Sequence, residues 1–267
     1  MKNKYLYKKI SLDLPIEYDT GSGLVVIYTH TSPAKKTINE DSTGYLRLDN
    51  KHIILIIADG LGGLPTGANA SSIALDSITD ELEMTCSGEL TRNAIISAFE
   101  KANQEILNTT TGSATTLAVA EIQHNILRTY HTGDSPIMLC GQRGKLKFLT
   151  ISHSPVGYAV EAGILDEIEA IHHDERHYVS NVVGSTDMTI SIGAPIQLAQ
   201  FDTLLLSSDG LFDNLYQEEI IDIIRKGNLA QAAVQLKTVA LKRMQTPQNS
   251  VPHWPDDLSF ILYRPKS

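Results

Sequence analysis

At 267 residues, with 42% apolar and 20% charged residues, the chain is long enough for one large domain or two small ones and can bury a core without covalent staples. A net charge of −9, with no internal basic run longer than Lys35-Lys36, argues against a nucleic-acid partner, and no apolar run reaches the length of a membrane span. Cys86 and Cys140 are far apart and form no CxxC, so neither a thiolate zinc site nor a disulfide framework is suggested, and a reducing compartment fits.

The start, Met1 to Lys9, is basic, but Asp13 and Pro15 interrupt the stretch after it, so it is no signal core and a cytoplasmic location is expected. Gly23 to Thr31 and Thr43 to Leu48 have the β-branched and aromatic content of strands. Between them lie the loop Ser32-Pro33-Ala34-Lys35 and the polar run from Lys36 to Asp41. Ile53-Ile54-Leu55-Ile56-Ile57-Ala58 is too apolar to face water on either side and belongs in a core. It delivers Asp59 into a glycine-rich loop, Gly60-Leu61-Gly62-Gly63, where backbone carbonyls can approach a bound group. Taken alone, Asp-Gly after a strand is an ordinary turn.

Helical spacing of apolar residues predicts helices over Ala68 to Leu82 and Glu89 to Leu107. Strands are expected at Ala114 to Ile122 and at Ile126 to Thr132, the second running into Gly133-Asp134-Ser135, followed by a hairpin of Ile137 to Cys140 and Lys145 to Ile151. Ser154 to Gly184, with a short helix at Leu165 to Ile171 and the polar run His172 to His177, reads as a surface excursion beside the sheet. Strands return at Met188 to Ile192 and at Asp202 to Ser207, closing on Ser208-Asp209-Gly210. Helices over Gln217 to Arg225 and Leu229 to Met244 precede Asp256-Asp257 and a last strand, Leu258 to Tyr263. This order predicts a single α+β domain spanning 1–267, with sheet layers covered by helix pairs.

Asp41, Asp59, Asp134, Asp209 and Asp256 all flank predicted strands. Each singly is a routine cap or turn residue. Five of them brought together by one core would repel unless cations sat between them, and with no Cys or His at ligand spacing nearby, an all-oxygen shell favours Mg²⁺ or Mn²⁺ over Zn²⁺.

In chain order, Asn39-Glu40-Asp41, Ala58-Asp59-Gly60-Leu61-Gly62-Gly63, Gly112-Ser113-Ala114-Thr115-Thr116-Leu117, Gly133-Asp134-Ser135, Ser207-Ser208-Asp209-Gly210-Leu211 and Asp256-Asp257-Leu258-Ser259 resemble the motifs of the metal-dependent PPM-type, or type 2C, protein phosphatases over nearly the whole chain. The resemblance implies a four-layer α-β-β-α sandwich, a central antiparallel β-sandwich flanked by helix pairs. It implies two metals, bridged by Asp59, with Gly60 lending its carbonyl, Asp209 and Asp256 on the first metal, and Glu40 and Asp41 on the other side, Asp41 helping to orient the attacking water. Asp134, Asp209 and Asp213 match positions for a weaker third metal. The implied reaction is direct attack of an activated water on the phosphate of a phosphoserine or phosphothreonine in a protein, opposed by a kinase, in a monomeric enzyme.

Three positions depart from the family. Lys36 stands where an arginine usually grips the substrate phosphate, and lysine lacks the planar fork, so either Lys36 serves or Lys35 helps. Leu61 replaces a histidine proposed in some members as general acid, and Pro136 replaces an arginine after Gly-Asp-Ser. The excursion at 154–184 resembles the family's flap, through Ala162-Gly163-Ile164 and Asn181-Val182-Val183-Gly184; His173 and His177, at i,i+4, are read as polar flap surface. Two alternatives stay open: action on a small phosphate ester, and a regulator that keeps the fold but has lost turnover. Neither GxGxxG nor GxxxxGK[ST] occurs, which disfavours a Rossmann or P-loop enzyme.

Overall fold

A computed structural model describes residues 3–61, 66–84, 90–109, 112–246 and 251–266. Gly62, Gly63 and Cys86, singled out in the sequence, lie outside the described residues.

Strands β1 (Asn3–Lys8), β2 (Ile16–Asp19), β3 (Gly23–His30), β4 (Ser42–Asp49), β5 (His52–Ala58) and the short β6 (Gly60–Leu61) precede helices α1 (Thr66–Met84) and α2 (Leu90–Asn108). The chain continues through β7 (Ala114–Thr115), β8 (Leu117–Gln123), β9 (Ile126–Thr132), β10 (Ile137–Cys140) and β11 (Leu146–Leu149) to two short helices, α3 (Pro155–Glu161) and α4 (Glu167–Ile171). Then come β12 (Ser191–Ile192), β13 (Ile196–Gln197), β14 (Thr203–Ser207), α5 (Asp209–Phe212), α6 (Gln217–Ile224), α7 (Leu229–Gln245) and β15 (Leu258–Pro265).

Two large antiparallel sheets result, and β6 pairs separately with β7. One runs β1-β4-β5-β8-β9-β12, with β13 also paired to β9; the other runs β11-β10-β14-β15-β3-β2. Strand alternation sets the layers, because successive side chains leave a strand on opposite faces. On β5, Ile53, Leu55 and Ile57 enter the core between the sheets, where they meet Val25, Ile27, Leu204, Leu206 and Ile261. Ile54, Ile56 and Ala58 point the other way, onto Ala74, Leu75 and Ile78 of α1 and Ile95, Ala98 and Phe99 of α2. The second sheet does the same: Val26, Tyr28, Leu205, Phe260 and Leu262 face Ile220 and Ile224 of α6 and Leu229, Leu236 and Ala240 of α7. These three apolar seams make the four layers that the motif resemblance implied. All seven residues of β5 are buried, because that strand has helix on one side and sheet on the other.

The edges hold most of the differences from expectation. β1 and β2 fall in an amino-terminal stretch whose charge masks the strand pattern: Tyr5 and Tyr7 pack toward the inter-sheet core, while Lys4 and Lys8 on the other face pair with Glu83 and Asp76 of α1 at 2.7 and 2.8 Å. The predicted strand Ala114 to Ile122 is broken at Thr116 into β7 and β8. Among the described residues, no helix is long and apolar enough to cross a membrane.

Candidate metal centre

Neighbouring strand ends supply the acids. β4 and β5 pair with Ser42 opposite Ala58, so Asp41, just before β4, and Asp59, just after β5, emerge side by side. In the other sheet β14 and β15 pair with Ser207 opposite Phe260; Asp209 lies two residues past the end of β14 and Asp256 two residues before the start of β15. Ser208 joins the two sheets at this edge, its Oγ donating to Asp41 Oδ2 at 3.0 Å. Asp134 arrives from the turn between β9 and β10.

The interruption at Thr116 now has a reason. Thr116 N–H donates to the Asp59 carbonyl at 2.8 Å, Thr115 Oγ1 donates to the same carbonyl at 2.7 Å, and Asp59 N–H donates to Thr116 Oγ1 at 3.0 Å. Asp59 is therefore clamped by its backbone, which leaves its carboxylate to face Asp41, Asp209, Asp256 and Asp134. Gly60 follows because nothing larger fits: a Cβ there would stand 2.3 Å from the Gly67 carbonyl oxygen and 2.7 Å from that of Glu40.

The acids act on one another. Burial, then the charges of Asp41, Asp209, Asp256 and Asp134, lift Asp59 well above its ordinary 3.8. Burial, then Asp256, Asp213, Asp134 and Asp41, does the same to Asp209. Burial followed by Asp257 takes Asp41 to about 8, and burial with Asp256 takes Asp134 to about 6. Asp213 is lifted by burial to about 7 against the pull of Arg176. Glu40 Oε1, Asp41 Oδ1 and Asp209 Oδ1 are buried without a hydrogen-bond partner, and Asp213 Oδ2, also without one, lies 3.4 Å from His177 Nδ1. Orphaned acceptors of this kind cost free energy unless a cation or proton satisfies them. Hard oxygen donors at this density fit divalent ions of the magnesium or manganese type.

Two lysines stand beside this cluster and behave differently. Lys35, not Lys36, reaches it: its ammonium lies 3.1 Å from Glu40 Oε2, 3.2 Å from Asp256 Oδ1 and 3.3 Å from Asp257 Oδ2. Burial opposes its charge, but Asp256, Asp257 and Glu40 outweigh burial and raise its pKa. Lys36 is exposed and makes no hydrogen bond or ion pair among the described residues. Leu61 sits in β6 opposite Ala114, so no titratable side chain stands there.

The excursion at 154–184 is fastened to the centre by a histidine the sequence did not single out. His153 Nδ1 accepts from Gly133 N–H at 3.1 Å and from Asn181 Nδ2 at 2.8 Å, while the His153 carbonyl accepts from Ser180 N–H at 2.8 Å. Burial, then neighbouring His131, lowers its pKa to about 4, so the ring is neutral and free to accept. Ser154 caps α3 by accepting from Gly157 N–H, and Asp166 and Glu169 form a capping box at α4. Helix α4 ends at Ile171, so His173 and His177 do not share a helical face. His177 is more than polar surface. Its ring stacks on Trp254 at 4.1 Å, and one ligand atom each from His177, Asp209 and Asp213 lie within 4.8 Å of one another. No spacing rule finds that contact, because His177 comes from the excursion while Asp209 and Asp213 begin and cap α5.

Comparison with known proteins agrees with this architecture. The family model described as protein phosphatase 2C matches residues 31–242. Protein phosphatase PhpP of Streptococcus pneumoniae serotype 2 is 31% identical over 202 residues, 71% of this chain and 80% of that protein. The S. agalactiae serine/threonine phosphatase superposes with a TM-score of 0.76 at 25% identity, covering 90% of this chain and 98% of that one. The catalytic domain of serine threonine protein phosphatase PstP in complex with two manganese ions superposes at 0.73 and 22% identity, covering 91% and 98%, a likeness of fold.

Proposed function

The chain belongs to the protein phosphatase 2C family, and from that premise we propose that it is a divalent-metal-dependent hydrolase of phosphoserine and phosphothreonine in proteins. The observation that carries this reading is the convergence of Asp41, Asp59, Asp134, Asp209 and Asp256, with buried carboxylate oxygens that no protein donor satisfies. Asp59, Asp209 and Asp256 would hold one ion; Asp59 with Glu40 and Asp41 would face a second, the Gly60 carbonyl being lent to the pair; Asp134, Asp209 and Asp213 would take a third, weaker one. When bound, such ions neutralise the phosphate's charge and activate a water for direct, in-line attack on phosphorus.

The chain's own groups do the rest. Asp41, held by Ser208, is placed to orient that water. Lys36, exposed and unpaired among the described residues, is available to meet the phosphate, whereas Lys35 is already committed to carboxylates. The leaving serine or threonine oxygen finds no side-chain acid at Leu61, so a water held at the centre would supply its proton. Residues 1–267 are proposed to work as a single domain with 154–184 as its flap, as a monomer in the cytoplasm opposing a serine/threonine kinase, with Mg²⁺ or Mn²⁺ as the physiological ion.

The test is hydrolysis of an aryl phosphate with Mn²⁺, with chelator, and in Asp59→Asn and Asp209→Asn variants. Mn²⁺-dependent turnover is expected, falling on the order of a thousandfold in either variant, since several kcal/mol of transition-state stabilisation accompany the ions. Folded protein that stays inert in Mn²⁺ overturns the reading in favour of a regulator. Faster turnover of phosphometabolites than of phosphopeptides reassigns the substrate to a small ester.

A further inference from the structure

Lys35 occupies a position that no catalytic role requires of it, and the loop between β3 and β4 is built to put it there. Asp257, only 3% exposed in its side chain, binds both ends of that loop: Oδ1 accepts from Ser32 N–H at 2.7 Å and Oδ2 accepts from Glu40 N–H at 2.8 Å. Lys35 N–H donates to the Ser32 carbonyl at 3.0 Å, a tight turn that brings the Lys35 side chain back over the same carboxylate. The ammonium thereby contacts three acids, two of them, Glu40 and Asp257, almost wholly buried. Asp256 Oδ1 is shared between Lys35 at 3.2 Å and Asp257 N–H at 2.8 Å. Lys36, the next residue, has none of these contacts.

We propose that Lys35 is a tethered counter-ion that competes with the divalent ions: it holds Glu40, Asp256 and Asp257 together in the metal-free protein and lowers the affinity of the acidic centre for metal. This inference rests on the metal-dependent reading above and deepens it. A fixed positive charge beside these acids does two coupled things. It offsets their mutual repulsion when no metal is present, and it repels an incoming dication that must use Asp256 or face Glu40. By linkage, whatever stabilises the metal-free state over the loaded one weakens loading by the same factor. The centre would then fill only when divalent ion is abundant, and Lys35 would set that threshold. Its role is positioning and electrostatic; it needs no contact with substrate.

The experiment is calorimetric titration of Mn²⁺ into the wild-type protein, Lys35→Met and Lys36→Met, with thermal melts of each in chelator and in saturating Mn²⁺. Lys35→Met is expected to bind Mn²⁺ about tenfold more tightly, within the usual range of coupling between two sites. Its metal-free melting temperature should fall while its metal-induced rise in melting temperature grows. Lys36→Met should match the wild type in affinity and in both melts. If Lys35→Met does not fold without metal, it and Lys35→Gln are prepared in Mn²⁺ and stripped with increasing chelator, and both should retain the ion at concentrations that empty the wild type. Equal or weaker retention in the Lys35 variants, or an equal gain in Lys36→Met, overturns the assignment. Failure of the wild type itself to bind Mn²⁺ instead overturns the metal-dependent reading on which it rests.

Discussion

Lysine and arginine differ at a phosphate site in geometry more than in charge. An ammonium offers a point charge on a flexible stem, whereas a guanidinium offers two parallel donors to two phosphate oxygens. Lys36→Arg is therefore expected to lower KM for a phosphopeptide roughly fivefold with little change in kcat, and Lys36→Ala to raise it. Steady-state kinetics in saturating Mn²⁺ checks this, and an unchanged KM in both variants removes Lys36 from the phosphate. At this scale the aspartates were legible because each follows or precedes an apolar strand within a recognisable local motif. The difference between Lys35 and Lys36 was not, because it is decided by Asp257, more than two hundred residues away in sequence, which ties down both ends of their loop. His153 and His177 were hidden for the same reason: their partners Gly133, Asp209 and Asp213 are neighbours only in the fold.

Elements transmit position to those residues, and where they touch the centre the backbone is packed without slack. α5 begins at Asp209, and a Cβ on Gly210 would stand 2.0 Å from the Asp257 carbonyl oxygen. Neither side of that contact is a flexible side-chain end, so Gly210→Ala must displace α5 or the start of β15, and with them Asp209 or Asp256. The expected result is a loss of stability of about 1–3 kcal/mol together with weakened Mn²⁺ binding, read by denaturant unfolding and calorimetry. A variant that unfolds and binds metal like the wild type would show that this junction does not position the acids. The contrasting substitution is Leu55→Ala, in the seam between the sheets and away from the centre, which should cost about 2–5 kcal/mol of stability through its cavity. β5 was readable because its apolar run is unbroken. α5 was not, since four residues carry no helical period, and the Thr116 break was not, since its purpose is to hold Asp59 rather than to end a sheet.

Across the whole molecule, the acidic centre links stability to pH and to metal. In the metal-free protein Asp134, Asp213 and Asp41 take up protons with midpoints of about 6, 7 and 8, and Asp59 and Asp209 lie well above 3.8, where the unfolded chain would release them. Burial lowers the pKa of His131, His153 and His177, which acts the other way below about pH 6.5; above it the acids dominate, the folded state binds more protons than the unfolded one, and stability falls as pH rises toward 8. This is the reverse of a salt-bridged carboxylate, whose lowered pKa makes stability fall with acid. Divalent ions held by these acids would remove the difference by stabilising the ionised carboxylates, so their binding would release protons and strengthen as pH rises. Melting temperatures in chelator should accordingly decline from about pH 6.5 to about pH 8, while the increase produced by Mn²⁺ should widen over the same steps. A metal-free melting temperature that is flat or rises across this range would mean that the acids are already ionised without metal. Their repulsion would then have to be absorbed by Lys35 and the surrounding donors alone.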